Sequence, residues 1–203
     1  YLSVLVCKRT RSILSANFTA AAPTGHDHSV LVARAVVPRK VLPWARLYEE
    51  LNVPEMPWAA HLTAAERALY DTRRPYIFPQ RIITDNGRDY TSEAVQSTCA
   101  RFGISLTESP YVSPTSKAQV ERIFGSIGTK FAQYLPGYSG SRTEFRGEKP
   151  EDEQVLDLAT VADLFDRWVT VVWQNRIHDG LIDPYDPSVR HTPNSMYAAS
   201  LDY

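Results

Sequence analysis

The chain has 203 residues, 43% of them apolar and 22% charged, ordinary values for a globular domain with a sizeable core. They exclude a disordered chain, a collagen-like repeat and a coiled coil. No apolar run reaches the roughly 18–20 residues of a membrane span, and no basic-then-apolar leader opens the sequence. Two cysteines, Cys7 and Cys99, cannot build a disulfide framework or a four-cysteine zinc site. The expectation is a soluble, cytoplasmic protein with no membrane partner.

The net charge of −1 alone speaks against a nucleic-acid binder, but its distribution is uneven. Residues 1–46 carry seven Lys/Arg against one acid, whereas residues 144–203 carry five against twelve. A basic end can hold a polyanion, and solvated charged faces account for the pattern equally well.

In chain order, Tyr1-Leu-Ser-Val-Leu-Val-Cys7 and Ser12-Ile-Leu-Ser-Ala-Asn-Phe-Thr19 read as a β-hairpin with a basic tip, Lys8-Arg-Thr-Arg11. Asp27 or His28 is placed to cap a helix running to about residue 37. Six prolines chop 38–80, which reads as an insertion between core elements, with Trp44 and Trp58 as anchors. Arg81-Ile-Ile-Thr-Asp-Asn-Gly87 is a short strand and turn. Thr91 or Ser92 then caps a helix to 102, which Gly103 stops. Residues 104–107 form another strand, and Ser116 opens a helix to about 134. Strand, helix, strand, helix implies an α/β sheet with at least one parallel crossover.

Residues 136–153 are Gly-rich and charged, a mobile surface loop. Thr160 with Asp163 resembles a capping box for a largely buried helix carrying Phe165, Trp168 and Trp173. From Gly180 the chain is loop-like until a short helix near 194–199.

Asp85 ends a buried strand, where open α/β sheets place their ligands, and Asn86 and Gly87 permit a tight turn behind it. An Asx-turn aspartate fits the same residues. On the helix from Ser116, Val120, Ile123, Phe124, Ile127 and Phe131 form one apolar stripe expected to face the sheet. Glu121 falls at its border, beside Lys117 and ahead of Gly125 and Gly128. It can lean over the sheet edge or pair with Lys117.

Taken together, Asp85 in Thr84-Asp85-Asn86-Gly87 and Glu121 in Ser113-Pro-Thr-Ser-Lys-Ala-Gln-Val-Glu-Arg122, with 35 residues between the two acids, resemble the second half of the DDE motif. That motif belongs to retroviral-type integrases and cut-and-paste transposases. Leu135-Pro-Gly-Tyr138, Trp173-Gln-Asn-Arg-Ile-His178-Asp-Gly-Leu181 and Thr192-Pro193 are similar to the same catalytic core in Mu-type and TniA/TnsB-type bacterial transposases. The resemblance implies an α/β fold, an RNase H-like mixed sheet flanked by helices. Residues 1–135 would be its core, with the insertion at 38–80, and 154–203 its C-terminal helical part.

In that group the hairpin at 1–19 corresponds to the second and third strands. The first strand and its catalytic Asp are then expected upstream of Tyr1, or Cys7 stands in the Asp position of a defective transposase. These 203 residues alone are therefore expected to be inactive.

The resemblance further implies Asp85 and Glu121 as catalytic metal ligands for two Mg²⁺ or Mn²⁺ ions, since carboxylate oxygens suit hard cations. The reaction would be cleavage of transposon ends and strand transfer to target DNA. Lys117, Gln119 and Arg122 are candidates for phosphate contact, as are Lys8, Arg9 and Arg11, for which a solvated hairpin tip serves equally. Asn86 and Gly87 would support the site. His178 matches a family feature near it, or is a satisfied structural histidine. Expected partners are DNA, further copies of the chain on DNA and an ATPase that selects the target, in a nucleoid-associated setting. The competing readings are an RNase H-like nuclease without strand transfer, and an inactive, domesticated or truncated core serving as a DNA-binding or assembly module.

Overall fold

Alternation along the first 18 residues sends side chains to two different layers. In the computed structural model, which describes residues 1–38, 74–84, 87, 89–109, 114–136 and 156–201, β1 (Leu2–Val6) pairs antiparallel with β2 (Ile13–Phe18). Leu2, Val4, Val6, Ala16 and Phe18 face one apolar core, while Leu5 packs into the other. Ser15 and Asn17 turn toward α1 (Gly25–Val36), where Ser15 Oγ donates to the Leu31 carbonyl at 2.8 Å and Asn17 Nδ2 to that of Asp27 at 3.3 Å. Small polar residues on this face let the helix sit close, with its hydrogen-bonding groups satisfied.

The α1 cap is Thr24, rather than Asp27 or His28. Thr24 Oγ1 accepts from the Asp27 amide, and the Asp27 carboxylate accepts from the Thr24 amide at 2.8 Å. Asp27 is thus the far half of a capping box, and these bonds to Thr24 hold its carboxyl below the usual range.

After the insertion comes β3 (Arg81–Thr84), then α2 (Glu93–Arg101) and β4 (Ser105–Glu108). β3 and β4 pair in parallel, Ile82 opposite Leu106, as the strand–helix–strand order requires. Gly103 (φ 68°) stops α2 as expected, and Ile104 donates back to the Cys99 carbonyl at 2.8 Å. Among the described residues the strands form two separate two-stranded sheets, not one continuous sheet. Both lean on the same helical layer, since Val32 and Val36 of α1 and Val95 and Cys99 of α2 share a core with Ile82 and Ile104.

The start of α1 lies tight against the residue that caps α2: a Cβ added to Gly25 would lie 2.1 Å from Ser92 Oγ and 2.7 Å from Ser92 Cβ. Gly25→Ala is therefore expected to push the two helices apart at a cost of about 1–3 kcal/mol, despite alanine's better helix propensity. Thermal melting checks this, and an unchanged or raised Tm would contradict so close a contact.

The second core lies across the hairpin. α3 (Pro114–Lys130) contributes Ile123 and Ile127, followed by Phe131, and α4 (Leu158–Val171) contributes Phe165, Trp168 and Val169. The predicted stripe on α3 is narrower than six residues of spacing suggested: Val120 is 51% and Phe124 39% exposed. α4 begins earlier than expected, because Asp157 caps it by accepting from the Thr160 amide at 2.8 Å, and Asp163 instead pairs with Arg167. A 3₁₀ turn (Trp173–Asn175) and α5 (Pro193–Ala199) complete the described chain.

Arg74 joins the insertion's end to this core through Asp166 at 2.6 Å and the Ile13 carbonyl. Trp44, Trp58 and all but the first residue of the predicted loop at 136–153 lie outside the described residues. No helix among those described is long and apolar enough to cross a membrane.

Candidate functional site

The parallel pair ends where the candidate acid begins. Ser109 donates to the Thr84 carbonyl at 2.7 Å, carrying the ladder to the last residue of β3. Asp85 and Asn86 follow directly and lie outside the described residues. Gly87 is described, and its carbonyl accepts from the Tyr90 amide at 3.1 Å, folding the chain back toward α2. Glu121 is exposed on α3, between exposed Val120 and Phe124. A Cβ on Gly125, one turn on, would meet no atom of the described residues within 4 Å. Lys117 and Gln119 sit on the first turns of the same helix, their side chains outside the described set.

The structure does bring together other predicted residues. Arg11 has φ 60°, a left-handed backbone that costs a non-glycine residue roughly 1–2 kcal/mol. Its amide donates to the Cys7 carbonyl at 2.9 Å, and its own carbonyl accepts from Trp173 Nε1 at 2.8 Å. A Cβ on Gly180 would lie 3.3 Å from Arg11 Nη2, so the guanidinium rests on bare backbone. Burial, and after it the charge of Arg122 on α3, pull the Arg11 guanidinium below its ordinary value. Arg122 is exposed and donates from Nε to the Ala118 carbonyl of its own helix at 3.1 Å. Arg9, by contrast, reaches away to Ser200 Oγ at 3.0 Å, and Lys8 is exposed.

His178 lies in the same neighbourhood, edge-on to Trp173 with ring centroids 4.4 Å apart. Its Nε2 is 3.2 Å from the Trp173 carbonyl, which can only accept, so this nitrogen carries the proton. Burial lowers its pKa, with the charges of Arg11 and Arg176 acting the same way. The histidine is therefore neutral in the native state where the unfolded chain would already be protonated.

The sign follows directly. Above its ordinary value of 6.5 the group costs nothing, and as pH falls below 6.5 the unfolded state gains a proton the native state lacks. Stability should then decline until the native group also titrates. His178→Gln should flatten this decline, and melting curves between pH 7.5 and pH 5 that keep the wild-type slope in the variant would contradict it.

Sequence reasoning missed two polar assemblies. Gln174, fully buried, donates from Nε2 to Ser12 Oγ at 3.3 Å and Asn194 Oδ1 at 3.1 Å, and Asn194 donates to Asn175 Oδ1 at 2.8 Å. This network ties the hairpin to α5 and gives Asn175 a structural task. The second sets His191 3.0 Å from both Asp183 Oδ2 and Ser195 Oγ. The order resembles a hydrolase relay, but Ser195 Oγ already accepts from the Thr192 amide at 2.9 Å in a capping box. The relay order thus locks the start of α5. No sequence signal joins residues so far apart as Ser12 and Gln174.

Comparison with known proteins gives the class. The chain is 32% identical over 60 residues to the transposase for transposon Tn552 of Staphylococcus aureus, covering 30% of this chain and 12% of that protein. It is 38% identical over 56 residues to the Gag-Pro-Pol polyprotein of bovine leukemia virus (isolate Australian), covering 28% of this chain and 4% of the polyprotein. The matches thus span small fractions of these relatives, and they mark a transposase- or integrase-type protein. Residues 1–137 match the family described as the TnsB C-terminal domain, which is well over half of the chain. The chain belongs to that family.

Proposed function

We propose that this chain is the catalytic core of a DNA transposase, cleaving transposon ends and transferring the strands to target DNA. The fold is RNase H-like, with Asp85 and Glu121 as two of its three catalytic carboxylates. The single observation that carries the reading is the arrangement of strands. The parallel β3–β4 pair ends at Thr84, the residue before Asp85 in the chain, and α3 carries Glu121 at an exposed position. Each of the four strands keeps one edge without a ladder partner among the described residues, so a further strand between the pairs would make one mixed sheet. β1 and β3 both pack on the α1–α2 layer, through Leu5 and Ile82.

The donor chemistry of paired carboxylates suits two Mg²⁺ or Mn²⁺ ions, which would activate the attacking oxygen and stabilise the leaving one. Among the described residues, Glu121 supplies one such donor, and no group of three His, Cys, Asp or Glu side chains there could hold an ion. DNA is the proposed partner, with the protein acting as an oligomer on it and an ATPase directing target choice. Lys117, Gln119 and Arg122 would contact the backbone near Glu121.

The test is joining of labelled transposon-end DNA to target DNA by the protein in its parent reading frame, with Mg²⁺ or Mn²⁺. Metal-dependent joined product supports the reading. Specific binding of the ends without joining would leave a DNA-binding or assembly module in its place.

A further inference from the structure

The hairpin tip holds a cation that the described chain does not neutralise. Arg11 is fixed at both ends of its backbone, by Cys7 and Trp173, in a conformation that glycine would adopt without strain. Its side chain lies over Gly180, and its Nε is buried with no hydrogen-bond partner among the described residues. The second guanidinium is Arg122: its neighbour Ile123 shares a core with Ile13, the residue two on from Arg11, and its charge acts on Arg11. Among the described residues its Nε donates to the Ala118 carbonyl of its own helix. Neither guanidinium has an ion pair with a carboxylate among the described residues, and two like charges so placed are unfavourable unless an anion bridges them. Guanidinium forks match phosphate oxygens bidentately, and their charge is permanent.

We propose that Arg11 and Arg122 form a clamp for one backbone phosphodiester of DNA, held between the hairpin tip and the helix that carries Glu121. The assignment rests on the transposase reading and adds to it a particular phosphate position. It also separates Arg11 from its sequence neighbours Lys8 and Arg9. Arg9 is turned toward Ser200, and Lys8 lacks a comparable backbone anchor among the described contacts. The clamp fixes a strand in register beside α3 without reading its bases.

The experiment is fluorescence anisotropy of a labelled mixed-sequence DNA duplex with the 203-residue chain, across a salt series. Arg11→Gly, which suits the left-handed backbone, and Arg122→Gln, at an exposed helix position, should each weaken binding about tenfold. Each should also lower the slope of log affinity against log salt by about one. Arg101→Gln, an exposed cation at the end of α2, should stay within about twofold of wild type.

Retention of wild-type affinity and slope by both clamp variants overturns the clamp while leaving the transposase reading in place. An equal loss in Arg101→Gln overturns it too, since any cation would then serve. Failure of the wild-type chain to bind duplex at any salt overturns the clamp and weakens the transposase reading with it. Melting of each variant guards against unfolding, and Arg122→Gln decides the matter should Arg11→Gly prove unstable.

Discussion

Glu121→Ala should reduce strand joining by about a thousandfold or more while leaving the folded chain as stable as before. The two halves of this expectation have separate causes. Glu121 is exposed on α3, and exposed substitutions away from caps and cores shift stability by about 0.5 kcal/mol at most. A carboxylate that holds a catalytic metal ion, by contrast, stabilises charge developing in the transition state. Its loss removes roughly 4 kcal/mol or more, equivalent to a thousandfold in rate. Glu121→Gln should be nearly as damaging, because the amide keeps the shape but not the charge. Asp85→Ala should reduce joining to a similar extent.

The assay is joining of labelled transposon-end DNA in Mg²⁺ or Mn²⁺ by the protein in its parent reading frame, with duplex binding measured in parallel. Binding should survive these substitutions, which distinguishes them from loss of the Arg11 clamp. If Glu121 merely forms a surface ion pair on its own helix, joining by Glu121→Ala would be unimpaired and the catalytic assignment would fall.

Local signals in the sequence were readable where one residue type has one physical use. Gly103 marked the end of α2 because a left-handed stop favours glycine, and the residue has φ 68°. Alternation in 1–19 and the strand–helix–strand order gave the hairpin and the parallel pair. Helix starts were less legible, since capping residues come in pairs. Asp27 and Thr24 both belong to the α1 box, and Thr160 is the partner of the true cap, Asp157, on α4. Spacing also overstated the buried face of α3. It identified Ile123, Ile127 and Phe131, but not that Val120 and Phe124 would remain exposed.

The environment of Arg11 could not be read at all. A positive φ at a non-glycine residue has no sequence signature, and the Trp173 indole that holds its carbonyl lies 162 residues away. The same separation hid the Ser12–Gln174 contact. The Asp85–Glu121 spacing was readable only as a resemblance, which is why the pair requires the joining assay.

Trp168 on α4 and Trp173 in the turn after it should respond to phenylalanine in opposite order to their burial. Trp168 is 1% exposed and sits among Phe131, Phe165 and Trp173, with ring centroids 5.5–5.7 Å away. Trp168→Ala should cost about 3–5 kcal/mol, the range for emptying a large aromatic site, and lower Tm by roughly 10 °C in a chain of this size. Trp168→Phe should be far milder. The indole Nε1 there is buried with no hydrogen-bond partner among the described residues, so phenylalanine removes an unsatisfied donor along with some volume. Trp173, at 5% exposed, uses its Nε1 to hold the Arg11 carbonyl at 2.8 Å. Trp173→Phe leaves that carbonyl without its donor and frees a backbone held in the left-handed region, so it should destabilise more than Trp168→Phe by about 1 kcal/mol. Denaturant melts of the two phenylalanine variants decide the point. A larger loss at Trp168 would mean that cavity volume outweighs the indole hydrogen bond, and that the hairpin tip is held by other contacts.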